Sequence, residues 1–244
     1  MKRWHASLRA LPFVAVATLA HAGPDEYVAV PGVEYGEREI ELRYGSATRF
    51  GEPRASAAPL AFGYGATPWW FTEVYAKFKR EGGHARYDAV EWENKFQLTE
   101  PGERFVDVGL LVEFEVPRLR AEGYELRIGP LLQKDFDRVQ VNFNPLLERH
   151  FRADEHAGTA LGYQWQVKYR WRPEFEFGAQ GFGDVGPWNS WLPAREQAHV
   201  LGPALFGKAP LGGRQAIKYN AALLFKGSSA APQRTLRAQL EYEF

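Results

Sequence analysis

From residue 37 onward the chain repeats one pattern: stretches of about ten residues in which apolar and polar side chains alternate. In "EREIELRY" (37–44), Ile40, Leu42 and Tyr44 oppose Glu39, Glu41 and Arg43. In "WWFTEVYAKFK" (69–79), Trp70, Thr72, Val74, Ala76 and Phe78 oppose Glu73, Tyr75, Lys77 and Lys79. A strand sends successive side chains to opposite faces, whereas a helix repeats every ~3.6 residues. The alternation therefore predicts strands throughout. The further stretches are 58–66, 87–98, 105–116, 124–134, 138–148, 161–171, 174–183, 198–208, 216–226 and 235–244. That makes about twelve strands, with 10–14 allowed by the weaker stretches at 58–66 and 198–208.

The connections alternate too. Tight turns are expected at 67–68, 99–104, 135–137, 172–173 and 209–213, rich in Gly, Pro and Asp. Longer polar loops are expected at 45–57, 80–86, 117–123, 149–160, 184–197 and 227–234. Such an order describes an up-and-down meander with turns at one end and loops at the other. Two-faced strands suit a soluble sandwich or a membrane barrel. Tyr and Trp recur on the apolar face near strand ends, at Tyr44, Trp70, Trp92, Tyr124, Tyr163, Trp165, Trp171 and Tyr242. Amphipathic rings belong at membrane–water interfaces. Within hydrocarbon an open sheet edge leaves backbone groups unpaired, so the first and last strands must meet. The fold class expected is all-β: a closed up-and-down antiparallel transmembrane β-barrel.

Residues 1–22 read as a secretory signal peptide: Lys2, Arg3 and Arg9, a short apolar run "LPFVAVATLA", and Ala20-His21-Ala22 before the cut. Residues 23–36 are expected to form a periplasmic N-terminal segment, and 37–244 the barrel. The chain has no Cys, which excludes disulfides, thiolate metal sites and Cys nucleophiles. Thirty basic residues balance thirty acidic ones, so nothing points to nucleic acid.

The signal segment, the absence of Cys, the meander and the last strand together resemble the bacterial outer-membrane β-barrel proteins, porin- or transporter-like. The resemblance implies an outer-membrane location in a Gram-negative cell. It also implies that the closing strand, with Leu240, Tyr242 and Phe244, is the signal read by the barrel-assembly machinery. The expected partners are that machinery, outer-membrane lipid and a small polar solute. No cofactor is expected, and oligomeric state stays open.

If the apolar face meets lipid, the other face lines the lumen. The residues expected there are Glu73, Lys77, Glu91, Glu93, Lys95, Asp107, Glu113, Glu115, Arg127, Arg138, Lys168, Arg170, Lys218, Arg237 and Glu241. Early strands carry an acidic wall and later strands a more basic one. Two opposed walls suit a channel for small polar or charged solutes. The alternative is a non-conducting structural barrel braced by ion pairs. A third reading is a lipid hydrolase at the rim, for which Ser190 and His199 are the nearest pair, although no nucleophile motif surrounds them. "ERHFRADEH" (148–156) offers His150 and His156 as weak metal-ligand candidates, without a recognised ligand spacing.

Overall fold

The computed structural model describes residues 23–81, 83–154 and 158–244. The signal-peptide reading for 1–22 and the candidate His156 lie outside the described residues. Thirteen strands form one antiparallel ring: β1 (Arg38–Thr48), β2 (Ala55–Ala57), β3 (Leu60–Thr67), β4 (Trp70–Glu81), β5 (His84–Gln97), β6 (Asp107–Pro117), β7 (Tyr124–Phe136), β8 (Val139–Phe151), β9 (Ala160–Arg172), β10 (Phe175–Pro187), β11 (Ala198–Gly212), β12 (Gln215–Lys226) and β13 (Arg234–Glu243). β2 and β3 both pair with β1 and β4, end to end, so they share one place in the ring. Pro59 sits at the break, where its missing N–H interrupts the ladder, while its carbonyl still accepts from Arg43 N at 3.0 Å. The result is a closed barrel of twelve positions, as the alternation predicts.

The seam is β1 against β13, from Glu39↔Glu243 to Thr48↔Arg234. The ladder runs to the chain end: Phe244 N donates to Arg38 O at 2.8 Å, and the Phe244 ring stacks on Tyr242.

Burial is inverted relative to a water-soluble protein. Glu41, Glu73, Glu93 and Glu243 are 2–3% exposed, whereas Ile40 and Leu42 are 45% and 48% exposed. Charge faces inward and hydrocarbon outward, which only a lipid surround makes favourable. The outward aromatic rings pair across neighbouring strands, for example Phe114–Tyr124, Phe78–Tyr87 and Tyr169–Phe177.

Several connections differ from expectation; the turn expected at 209–213 narrows to 213–214 between β11 and β12. The loop expected at 80–86 is a short hairpin, because β4 continues to Glu81 and β5 starts at His84. A bulge between Lys77 and Phe78 carries the pairing past the break in alternation. The turn expected at 99–104 is longer, spanning 98–106. Asp107 Oδ1 accepts from Gly102 N at 2.7 Å, and Thr99 Oγ1 accepts from Val108 N at 2.8 Å. These bonds draw Phe105 and Val106 off the ladder. We refer to the rim carrying 98–106 and the tight turns as the turn rim, and to the opposite one as the loop rim.

Residues 23–36 run inside the barrel. The segment starts among loop-rim residues, where Pro24 lies against Gly45, and descends to the turn rim, where Gly36 N donates to Gly65 O at 2.8 Å. On the way Val28 packs with Phe182, Ala204, Phe206, Ala222 and Leu224, and Ala29 with Leu111, Leu131 and Leu146. The wall admits the segment through glycines. A Cβ at Gly45 would collide with the Pro24 carbonyl, and one at Gly109 would come within 3.0 Å of Pro31.

Candidate functional site: an occupied, ion-paired lumen

Strands β1 and β4 to β8 carry most of the inward carboxylates, with Arg43, Lys77 and Arg127 among them. Arg43 from β1 pairs with Glu41, donates to the Tyr75 hydroxyl and lies over the Tyr27 ring at 3.4 Å. Lys77 Nζ reaches Glu91 at 2.9 Å and Glu115 at 2.6 Å. Arg127 meets four carboxylates: Glu26 at 2.9 Å, Glu113 at 3.0 Å, Glu125 at 3.4 Å and Glu148 at 3.5 Å. Glu26 belongs to the inner segment, so one ion pair in this set binds plug to wall. Tyr27 adds another tie, its hydroxyl donating to Glu93 at 2.6 Å.

Strands β7 to β10 continue the lining with amides. Arg237 Nη1 donates to Gln180 Oε1 at 2.9 Å, Gln180 to Gln166 at 3.1 Å, Gln166 to Asn142 at 2.9 Å, and Asn142 to Gln133 at 3.0 Å. These bonds form a belt from β13 to β7. A parallel row holds the plug: Asn144 Nδ2 donates to Ala29 O and to Gln164 Oε1, and Gln164 Nε2 donates to Glu26. Buried amides cost little only when satisfied in this way, and among the described residues Asn144 Oδ1 is the buried amide atom of these rows left without a partner.

Near the turn rim, Lys218 gathers Glu37 at 3.3 Å, Glu241 at 2.6 Å and Glu243. Lys208 also pairs with Glu243 at 2.6 Å, and Glu39 joins the carboxylate group. Glu37 stands one residue ahead of β1, outside the spanning strands. Burial, aided by a hydrogen bond to Glu243, pushes its carboxyl up to about 7, with Lys218 pulling it back only in part. The folded barrel thus keeps a proton that the unfolded chain releases near pH 4.5. The resulting stability is complete below that pH and is lost as pH rises through about 7. Glu37→Gln is expected to raise the urea midpoint at pH 8 and leave it nearly unchanged at pH 4, flattening the profile between. An unchanged slope across that window would disprove the assignment.

Among the described residues, the cavities of the occupied lumen include two that share no lining residue. One, about 630 Å³, opens among Glu34, Lys95, Lys168, Lys208 and Lys218 on the turn-rim side. The other, about 190 Å³, lies on the loop-rim side against Pro24, Phe182, Leu224 and Arg237.

Most residues expected in the lumen face inward. Glu73, Glu91, Glu93, Asp107, Glu113, Arg237 and Glu241 are buried there. Lys77, Glu115, Arg127, Lys168 and Lys218 are partly exposed and paired, Lys168 with Glu176 at 3.0 Å. Lys95 lies 4.9 Å from the Phe71 ring on the turn-rim cavity, and Arg170 pairs with Asp135 there. Arg138 lies instead in the exposed turn between β7 and β8. His150 stands in the last turnward-to-loopward span of β8 rather than in a loop, with Nε2 at 3.4 Å from Glu148 and 3.6 Å from Glu125. Those three residues have ligand-like proximity, but Arg127 already sits on both carboxylates. Ser190 and His199 are not joined by a hydrogen bond: the His199 ring bonds the Tyr163 hydroxyl and the Gln197 amide. Trp188 and Trp191 remain exposed in the 188–197 loop.

The sequence pattern missed the occupant of the lumen. The signal was present as apolar residues on the inward face, at Leu111, Leu131, Leu146, Phe182, Phe206 and Leu224, which are its contacts.

A closed twelve-position ring with hydrocarbon outside and paired charge inside is the architecture of a transmembrane β-barrel protein. No family profile and no curated protein matches this chain. Among solved structures it is similar to the NanC porin, with a TM-score of 0.56 at 11% identity over 85% of this chain and 98% of that one. It is likewise similar to the COG4313 outer membrane channel from Pseudomonas putida F1, with a TM-score of 0.58 at 11% identity over 91% of this chain and 99% of that one. At such identity the likeness is one of fold.

Proposed function

We propose that the chain is an outer-membrane channel for small polar or charged solutes, closed at rest by its own residues 23–36. The observation that carries this reading is the kind of object filling the lumen. It is a single segment outside the wall's ladder, held by side-chain contacts along its length and, among the described residues, by one backbone bond to the wall at Gly36. Apart from the apolar contacts around Val28 and Ala29, the wall behind it is polar, as suits an aqueous passage. A twelve-strand ring lies between barrels of about eight strands, filled by side chains, and open porins of about 16–18. The similar structures include a porin and an outer-membrane channel. By the usual arrangement of such barrels, the turn rim faces the periplasm and the loop rim the exterior.

Planar-bilayer recording of the refolded protein tests the reading. Brief, low-conductance openings are expected from the full chain. Absence of steps, both from the full chain and from one lacking the plug, would overturn it. The same ion pairs and plug contacts favour a second reading, a structural barrel that never conducts, and that outcome would support it.

The closing strand bears on assembly. Phe244 adds one backbone bond and one stacked ring to a ladder already ten pairs long. Deleting it is therefore expected to reduce insertion in cells strongly while shifting the unfolding midpoint of refolded barrel little. Normal insertion without Phe244 would count against its role as an assembly signal.

A further inference from the structure

We propose that the loop-side cavity is a binding site for a small organic carboxylate with an apolar body, and that Arg237 is its anion-binding residue. If the barrel conducts, the proposal names the class of solute it selects; the binding itself does not depend on conduction. Arg237 is 4% exposed. It donates to a neutral amide, Gln180, and its Cζ lies 4.5 Å from the Phe182 ring centroid. Its Nε has no hydrogen-bond partner. Among the described residues no carboxylate lies within 4.0 Å of it, whereas Arg43, Lys77, Arg127 and Lys218 each hold at least one. A deeply buried cation with no carboxylate in contact is costly, and an arriving anion lowers that cost.

The cavity beside Arg237 limits what the anion can be. Pro24, Ala47, Phe182, Val200 and Leu224 make its wall largely apolar. Two carboxylates also border it, and both are engaged elsewhere. Glu26 pairs with Arg127 at 2.9 Å and accepts from Gln164 at 3.0 Å. Asp184 accepts from Gly186 N at 2.7 Å. A second guanidinium, Arg49, borders the cavity and donates to Ala230 O at 2.7 Å. The 190 Å³ volume corresponds to roughly six water volumes at ~30 Å³ each. That suits a short acid: a guanidinium for the carboxylate and hydrocarbon walls for the remainder. Arg237 reaches this position because its neighbours on β12 and β11 are small, Ala222 and Ala204.

The test is calorimetric titration of the refolded full chain in detergent with butyrate and with its neutral isostere butyramide, against empty micelles. Butyrate is expected to bind and butyramide not. Arg237→Gln, checked for its heat-modifiable gel shift, is expected to weaken butyrate binding on the order of tenfold or more, the worth of a hydrogen bond to a charged group. Equal binding of acid and amide, or no butyrate binding, would overturn the site on wild-type protein alone, whatever the variant's folding. Unchanged affinity in folded Arg237→Gln would overturn the role of Arg237. Conductance is read separately: a barrel that conducts but ignores butyrate loses this site and keeps the channel.

Discussion

Deleting residues 23–34 is expected to turn brief, small openings into long-lived steps several times larger. The deletion removes the chain from the lumen axis and leaves all twelve ring positions and their ladders in place. It costs the Glu26–Arg127 pair and the Tyr27–Glu93 bond. It also wets the inward apolar residues Leu111, Leu131 and Leu224, which carries a moderate loss of burial. Arg127 keeps three carboxylates, so the wall stays balanced. A reversible companion experiment exploits the absence of native cysteines. Ala29→Cys with Leu111→Cys joins plug to wall within one packed apolar cluster. The oxidised pair is expected to suppress openings that reduction restores. Equal conductance with and without the segment, or in both redox states, would remove the plug from any gating role.

The largest loss of stability is expected from Arg127→Met. One guanidinium serves four carboxylates within 3.5 Å, and its side chain is only 14% exposed. Removing one partner of a buried ionic group strands the others, typically at roughly 3–5 kcal/mol. The urea midpoint of refolded barrel should fall accordingly. Adding Glu113→Gln and Glu148→Gln to the same chain is expected to recover much of the loss, because it removes the uncompensated charge. A fall under ~1 kcal/mol, near what a solvent-exposed pair contributes, would show that the four contacts are weak.

The wall was legible because a strand in lipid must declare its two faces at every residue. Ile40, Leu42 and Tyr44 against Glu39, Glu41 and Arg43 left little freedom, and the ring's closure followed from the cost of an open edge. The plug was not legible from its own residues, since "GPDEYVAVPGVEYG" has no periodicity and makes no ladder. Its trace is on the wall, where Leu111 or Phe182 reads as an interruption until a partner is known. The reading of two opposed charged walls was also only part of the arrangement. Arg43, Lys77 and Arg127 interrupt the acidic side, because an ion pair spans only a few ångström and adjacent strands lie ~4.8 Å apart. Charges are therefore neutralised by neighbours along the ring before they can act across it. Arg237 stands apart for the same reason: small residues flank it, and among the described residues no carboxylate lies within 4.0 Å.

The backbone bond at Gly36 also bears on time. Withdrawing residues 23–34 toward the turn rim breaks side-chain contacts but no ladder bond, so the plug and the ring have separate lifetimes. The ring opens only by global unfolding, whereas withdrawal of the plug is expected to leave the ring shut. Backbone amides of the plug should accordingly exchange with solvent far sooner than those of β8 or β9. The molecule would then carry two clocks, one for its container and a faster one for what the container holds.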